Sequence, residues 1–284
     1  MGGTTVPWLS WPEGALWVCG VLLGVGFVTR ERMARLPLLP LRVLWHRGLG
    51  GALLTIALLI WIVDSLLFFI PTLAQGVFYG TAQSAGIILI PLMLTWSLTA
   101  LVSLRVGQRY GFRLAALGGC AALAASLVAL SLAPSTGGQR VLIIPMLLAG
   151  LGAGMINPNM MLLAQNSLSD RDQGLAGGLG GCVQVLVAAI VAPLLAALEL
   201  GRLAAHFGGA LPDTSRLLSA QGRASLRLQY GPVYVRHLHA ALNAALHDVF
   251  AVGFIALVAV TVGLILIVPG NPVARRIRMA PLGR

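Results

Sequence analysis

Lysine is absent from this 284-residue chain, so all 19 basic residues are arginines. A Walker A loop needs a lysine to reach the β- and γ-phosphates, which excludes ATP hydrolysis by that device on this chain. Schiff-base chemistry is excluded with it. The run GLAGGLGG at Gly174–Gly181 therefore reads as helix packing and not as a phosphate cradle. Charge of either sign is scarce: 10% of residues, against about 25% in soluble domains. Only three cysteines occur, Cys19, Cys120 and Cys182, each in a different apolar run. They form neither a disulfide framework nor a metal-ligand spacing and read as small apolar residues. Paired aspartates, a Ser/His pair and an HExxH site are all missing at membrane depth, so no enzyme, no cofactor and no metal centre is expected.

What the chain has in abundance is apolar length. It is 58% hydrophobic, and seven spans run approximately Trp8–Val28, Gly50–Ala74, Ser84–Leu104, Leu114–Ala133, Val141–Ala164, Gly174–Leu198 and Val249–Val268. About 20 apolar residues cross a bilayer as a helix, and backbone groups in lipid must be satisfied within the segment. The composition predicts an all-α membrane protein with about seven transmembrane helices. Strands of a membrane barrel would be about 10 residues of alternating polarity, and none is seen.

The net charge of +11 would suit a nucleic-acid partner, but its placement points elsewhere. Thirteen of the 19 arginines fall in one alternate set of loops: Arg30 to Arg47, Arg105 to Arg113, Arg171, and Arg275 to Arg284. The other set holds Arg140 and five arginines after Leu198. That asymmetry is the positive-inside pattern. It predicts a multi-pass protein of the plasma or inner membrane, N-terminus outside and C-terminus cytoplasmic, with no nucleic-acid partner. The first span precedes Arg30, the wrong order for a cleaved signal peptide, and Trp8, Trp11 and Trp17 suit an outer interface. The expected organisation is an outer N-terminus and first span (1–29), a cytoplasmic linker (30–49), a six-helix bundle (50–269) and a basic cytoplasmic tail (270–284). An outer loop at 199–247 interrupts the bundle. In it, His239, Asn243 and His247 would share a helix face, read as solvated.

Asp64 is the sharpest single residue, a carboxylate near the middle of ALLIWIVDSLLFFIPTL. A carboxylate at mid-membrane costs about 2.5–3.5 kcal/mol on insertion scales, which marks it as a candidate for proton or cation binding. A hydrogen bond to a neighbouring helix is the alternative. Asn157 and Asn159 flank Pro158, and Gln165 and Gln184 lie in the same hairpin. These four are candidates for the polar lining of a substrate cavity, as at interrupted helices of transporters. Satisfying backbone groups freed by the proline is the other reading of the two asparagines.

The stretch FFIPTLAQGVFYGTAQSAGIILIP places Pro71, Gln75, Gly86 and Pro91 at a recognisable spacing, and RVGQRYGFR supplies Arg109, Gly111 and Arg113. With the glycine-rich hairpin and the last span, they resemble the C-terminal half of a fourteen-span drug:proton antiporter of the major facilitator superfamily, the EmrB/QacA drug-resistance type. The likeness covers roughly Trp11 to Val268. RVGQRYGFR is similar to the degenerate second copy of the superfamily's cytoplasmic motif, which makes Arg109, Gly111 and Arg113 gating-loop candidates. Gln108 stands where that motif has an acid, and Leu104 where it has its first glycine.

The resemblance implies one extra span followed by a six-helix bundle, and proton-coupled efflux of drugs or other hydrophobic or cationic compounds. The implied partners are the bilayer, a small-molecule substrate, protons, and a complementary N-terminal six-helix half or a second copy. The alternative is a truncated, non-transporting remnant or a membrane interaction module.

Overall fold

The structure, a computed structural model, describes residues 47–133, 138–169 and 172–207 without interruption, with scattered helical positions between 18 and 33 and between 225 and 264. The protein is an all-α membrane protein. Its described core comprises α1 (Arg47–Thr72), α2 (Ala82–Tyr110), α3 (Phe112–Ser131), α4 (Ile143–Asn166) and α5 (Gln173–Phe207). Among the described residues, five stretches are long and apolar enough to cross a membrane: Gly48–Val77, Ala82–Tyr110, Phe112–Ser131, Gln139–Asn166 and Gln173–Leu198. They coincide with the second to sixth spans read from the sequence. Most of the first and seventh spans lies outside the described residues, apart from an apolar helix at Gly253–Leu264. Trp8, Trp11, Trp17, His239, Asn243 and His247 also lie outside them.

α4 occupies the centre and packs against each of the other four helices. Its apolar residues fall on every side, which fits a helix with neighbours on most of its surface, although Ile144, Leu147 and Leu151 leave one strip exposed. Small residues set how near its neighbours come, since lipid supplies no hydrophobic drive for association. A Cβ on Gly154 would lie 2.6 Å from the Trp96 carbonyl oxygen and 2.8 Å from Thr99 Cβ. Gly150, one turn away, is equally tight against Leu92 and Thr95. Gly152 faces α3 instead, and a Cβ there would meet the Gly119 carbonyl oxygen at 2.7 Å. A Cβ on Gly119 would in turn meet the Gly152 carbonyl oxygen at 2.7 Å.

The glycines of α5 divide. A Cβ on Gly177 would stand 3.2 Å from Gln165 Nε2, and one on Gly180 would stand 2.8 Å from Met161 Cε. Gly174, Gly178 and Gly181 face open space, with nothing within 4 Å. The packing role expected of the whole run thus belongs to part of it.

Hydroxyls of α2 and α3 tie these helices to α4 near its two prolines. Pro158 has no N–H to give the Gly154 carbonyl. Ser103 Oγ of α2 donates to that carbonyl at 2.9 Å. Ser126 Oγ of α3 donates to the Pro145 carbonyl at 2.7 Å. Ser103 is buried, so Ser103→Ala leaves the Gly154 carbonyl without its donor at a cost of about 1–3 kcal/mol. The expected result is a lowered melting temperature of the detergent-solubilised chain with its helix content unchanged.

Two ends of the bundle follow from the up-and-down course. At one, α1 passes into a π-helical turn, Leu73–Val77. There the Ala74 carbonyl accepts from Gly80 N at 2.9 Å and from Gln139 Nε2 at 3.1 Å. Gln75 Nε2 donates to the Pro71 carbonyl at 3.3 Å. The capping box of Thr81 and Ser84 then starts α2, with Ser84 N donating to Thr81 Oγ1 at 3.1 Å. At the other end α2 and α3 are joined through Gly111 alone, whose φ of 101° suits a residue without a Cβ. α5 runs on to Phe207, past Leu198, so the segment read as an outer loop begins as helix.

Candidate functional site

Asp64 sits on the open side of α1. Leu54 and Phe68 are exposed on that side, Trp61 and Asp64 are half-buried, and Ile60, Val63 and Leu66 on the other side are buried in the core. At 1.5 Å per residue, about 24 Å of helix separates Asp64 from Gly48 and about 20 Å separates it from Val77, which puts it near mid-span. Its Oδ2 is inaccessible and has no hydrogen-bond partner. An acceptor left bare at that depth is costly, more so when it is charged.

Three of the four amides predicted for a cavity fall on the seam between α4 and α5. Asn157, Met161 and Gln165 follow one another a turn apart on α4, and Gln184, Gly180 and Gly177 answer them on antiparallel α5. Asn157 Nδ2 donates to Gln184 Oε1 at 3.4 Å, a long bond between half-buried groups. Gln165 lies against Gly177, where a side chain on α5 would crowd it. The glycines leave the amides room and the amides give the seam its polarity. About 14 Å of helix lies between Asn157 and Asn166, and about 17 Å between Gln184 and Gln173.

Asn159 points the other way. It is fully buried, and its Nδ2 donates to the Met155 carbonyl at 2.7 Å and the Ser103 carbonyl at 3.3 Å. Its Oδ1 has no partner and abuts Gly107, where any side chain would collide with it. Asn159 and Ser103 thus fasten α4 to α2 from both sides. The carbonyl freed by Pro158 is taken by Ser103, not by either flanking asparagine. Sequence reading passed over Ser103 and Gly107, although a serine within an apolar span four residues before a glycine was visible.

Arg109 and Arg113 flank Gly111 at the α2–α3 corner. Arg109 is exposed, its guanidinium carbon 5.4 Å from the centroid of the Tyr110 ring. Arg113 is half-buried on the first turn of α3, and Gln108 is exposed beside them. Among the described residues, no group of three or more His, Cys, Asp or Glu side chains comes together as a metal site would require.

The sequence profile of the Major Facilitator Superfamily matches residues 1–193. The chain is 24% identical over 179 residues to "Multidrug transporter protein MdtP" of Bacillus subtilis (strain 168), which covers 61% of this chain and 32% of that protein. It is 29% identical over 195 residues to "Puromycin resistance protein pur8" of Streptomyces alboniger, covering 67% of this chain and 39% of that protein. Over 100 residues it is 34% identical to "Efflux pump dotC" of Dothistroma septosporum, covering 35% of this chain and 17% of that protein. The matched stretch therefore spans two fifths or less of each of these relatives.

Proposed function

The chain belongs to the major facilitator superfamily, and from that premise we propose that it is the C-terminal part of a proton-coupled efflux transporter of the fourteen-span drug-resistance type. It acts with a complementary six-helix half or a second copy to export hydrophobic or cationic small molecules. The names of its relatives, a multidrug transporter, an efflux pump and a puromycin resistance protein, support this class.

The observation that carries the reading is Asp64: a lone carboxylate on the open side of α1, near mid-span, with an oxygen that no group satisfies. In the proposed cycle that oxygen takes the proton. The seam of Asn157, Gln165 and Gln184 offers neutral donors and acceptors to the substrate. Asn159 holds α2 to α4 while the bundle rocks against its partner, as alternating access requires. Arg109, Gly111 and Arg113 form the gating loop on the cytoplasmic side, following the positive-inside pattern.

Co-expression of this chain with a complementary six-helix half in efflux-deficient bacteria tests the proposal. Accumulation of a fluorescent lipophilic cation should fall, and a protonophore should restore it. Unchanged accumulation, with both halves present in the membrane, favours a non-transporting membrane module. The seam gives a narrower prediction. The Asn157–Gln184 bond is long and half-buried, so Asn157→Leu with Gln184→Leu should leave the melting temperature within a few degrees. The same pair should change the apparent KM for substrate several-fold, read in the same dye assay.

A further inference from the structure

The outer side of α2 carries one continuous apolar stripe. Leu94, Leu98 and Leu101 are 57%, 63% and 72% exposed and recur every three or four residues. The same register continues without a break to Arg105 and then Arg109, both exposed. From Leu94 to Arg105 the helix rises about 16 Å, roughly half of a 30 Å hydrocarbon core and so the depth of one leaflet. At this corner the chain reverses through Gly111, and α3 brings Arg113 to the same end of the bundle. Leu114, next in sequence, is 61% exposed and extends the apolar surface onto α3.

Among the described residues nothing compensates the charge at the corner. Among the described residues none of the three arginines has an ion-pair partner, and the one contact shown for them is the Tyr110 ring beside Arg109. Gln108, exposed between them, is neutral. Asp172, at the same end of the bundle, has its Oδ2 engaged by Ser169 Oγ at 2.6 Å. Guanidinium groups bind phosphate oxygens through paired hydrogen bonds, and basic clusters at the headgroup level attract anionic lipids. Tyr110, 56% exposed, is an aromatic of the kind that settles at that level.

We propose that the α2–α3 corner is a binding site for an anionic phospholipid, its phosphate held by Arg105 and Arg109 with Arg113 alongside, and its acyl chains lying on the α2 stripe. The apolar stripe running into the arginines selects a lipid over free phosphate, which would use the cations and leave the leucines idle. Among the described residues the acid at this end, Asp172, is engaged by Ser169, which selects an anionic headgroup over a zwitterionic one, whose ammonium would lack a free carboxylate there. The site does not depend on whether the chain transports anything.

The test is native mass spectrometry of the purified full chain in micelles doped with phosphatidylglycerol, phosphatidylethanolamine or phosphatidylcholine. The native chain should retain phosphatidylglycerol at least tenfold over the zwitterionic lipids, and inorganic phosphate at equal concentration should not displace it. The triple variant Arg105→Gln, Arg109→Gln, Arg113→Gln should bring that preference within twofold, with circular dichroism checking its fold. Arg140→Gln, at the opposite end, should keep the preference intact. Should the triple variant fail to fold, Arg105→Gln alone, at an exposed position, should still lower the preference measurably. Equal retention of all three lipids by the native chain overturns the site. An undiminished preference in a folded variant does so too, as does cross-linking of Leu98→Cys to a second protein where lipid was expected.

Discussion

Gly154→Leu should prevent the bundle from assembling. A Cβ at this position would already stand 2.6 Å from the Trp96 carbonyl oxygen and 3.1 Å from the Ala100 nitrogen. Those are backbone atoms of α2 that cannot swing aside, so α2 and α4 must separate. Separation also breaks the 2.9 Å bond from Ser103 Oγ to the Gly154 carbonyl and withdraws the Ser103 carbonyl from Asn159 Nδ2. Overpacking alone costs about 1–3 kcal/mol, and each buried polar group left without a partner adds about 1–3 kcal/mol. The sum is a large share of the about 5–15 kcal/mol that holds an ordinary domain together. Size-exclusion profiles of the detergent-solubilised variant should show aggregate and no folded peak. Gly178→Ala is the matched control, since nothing lies within 4 Å of a Cβ there. Alanine exceeds glycine by about 0.8–1.0 kcal/mol in helix propensity, so that variant should melt at or above the parent temperature. A folded Gly154→Leu protein would show that α2 and α4 are not packed as described.

Asp64→Asn should abolish efflux driven by a pH gradient, by tenfold or more, in the assembled transporter while leaving the bundle folded. Asparagine matches the carboxyl in size and keeps hydrogen-bonding groups, so a purely structural role would survive the exchange. It cannot exchange a proton, so coupling would not. Asp64→Glu should retain part of the gradient-driven rate, and substrate binding measured without a gradient should persist in both variants. Gradient-driven efflux at the parent rate in Asp64→Asn would remove the proton role from this residue.

Much of the fold was legible because lipid is an unforgiving solvent for backbone. A run such as Gly50–Ala74 has no spanning conformation but a helix, and the structure extends it only to Gly48–Val77. The end of α5 was less legible, because the apolar run stops at Leu198 while the helix continues to Phe207. Candidate residues were legible as polar exceptions in apolar stretches, which is how Asp64, Asn157 and Asn159 stood out. Their directions were not. In α4 apolar residues fall on all sides, so no amphipathic pattern fixes the phase of the helix. Asn157 and Asn159, about 200° apart around it, look alike in sequence. Packing sends one to the α5 seam and buries the other against α2.

The sequence by itself determined that this chain is helical and belongs in a membrane, because length and apolarity suffice for that. It also marked the polar residues in those helices. Only the tertiary structure decided which glycines touch a neighbour and which face open space, and which hydroxyl answers the carbonyl that Pro158 leaves bare. It alone showed that the exposed α2 leucines lead in register to exposed arginines. These depend on which face of each helix meets which partner. In lipid-solvated helices that choice rests on close packing and single hydrogen bonds, which leave no periodic trace in the sequence.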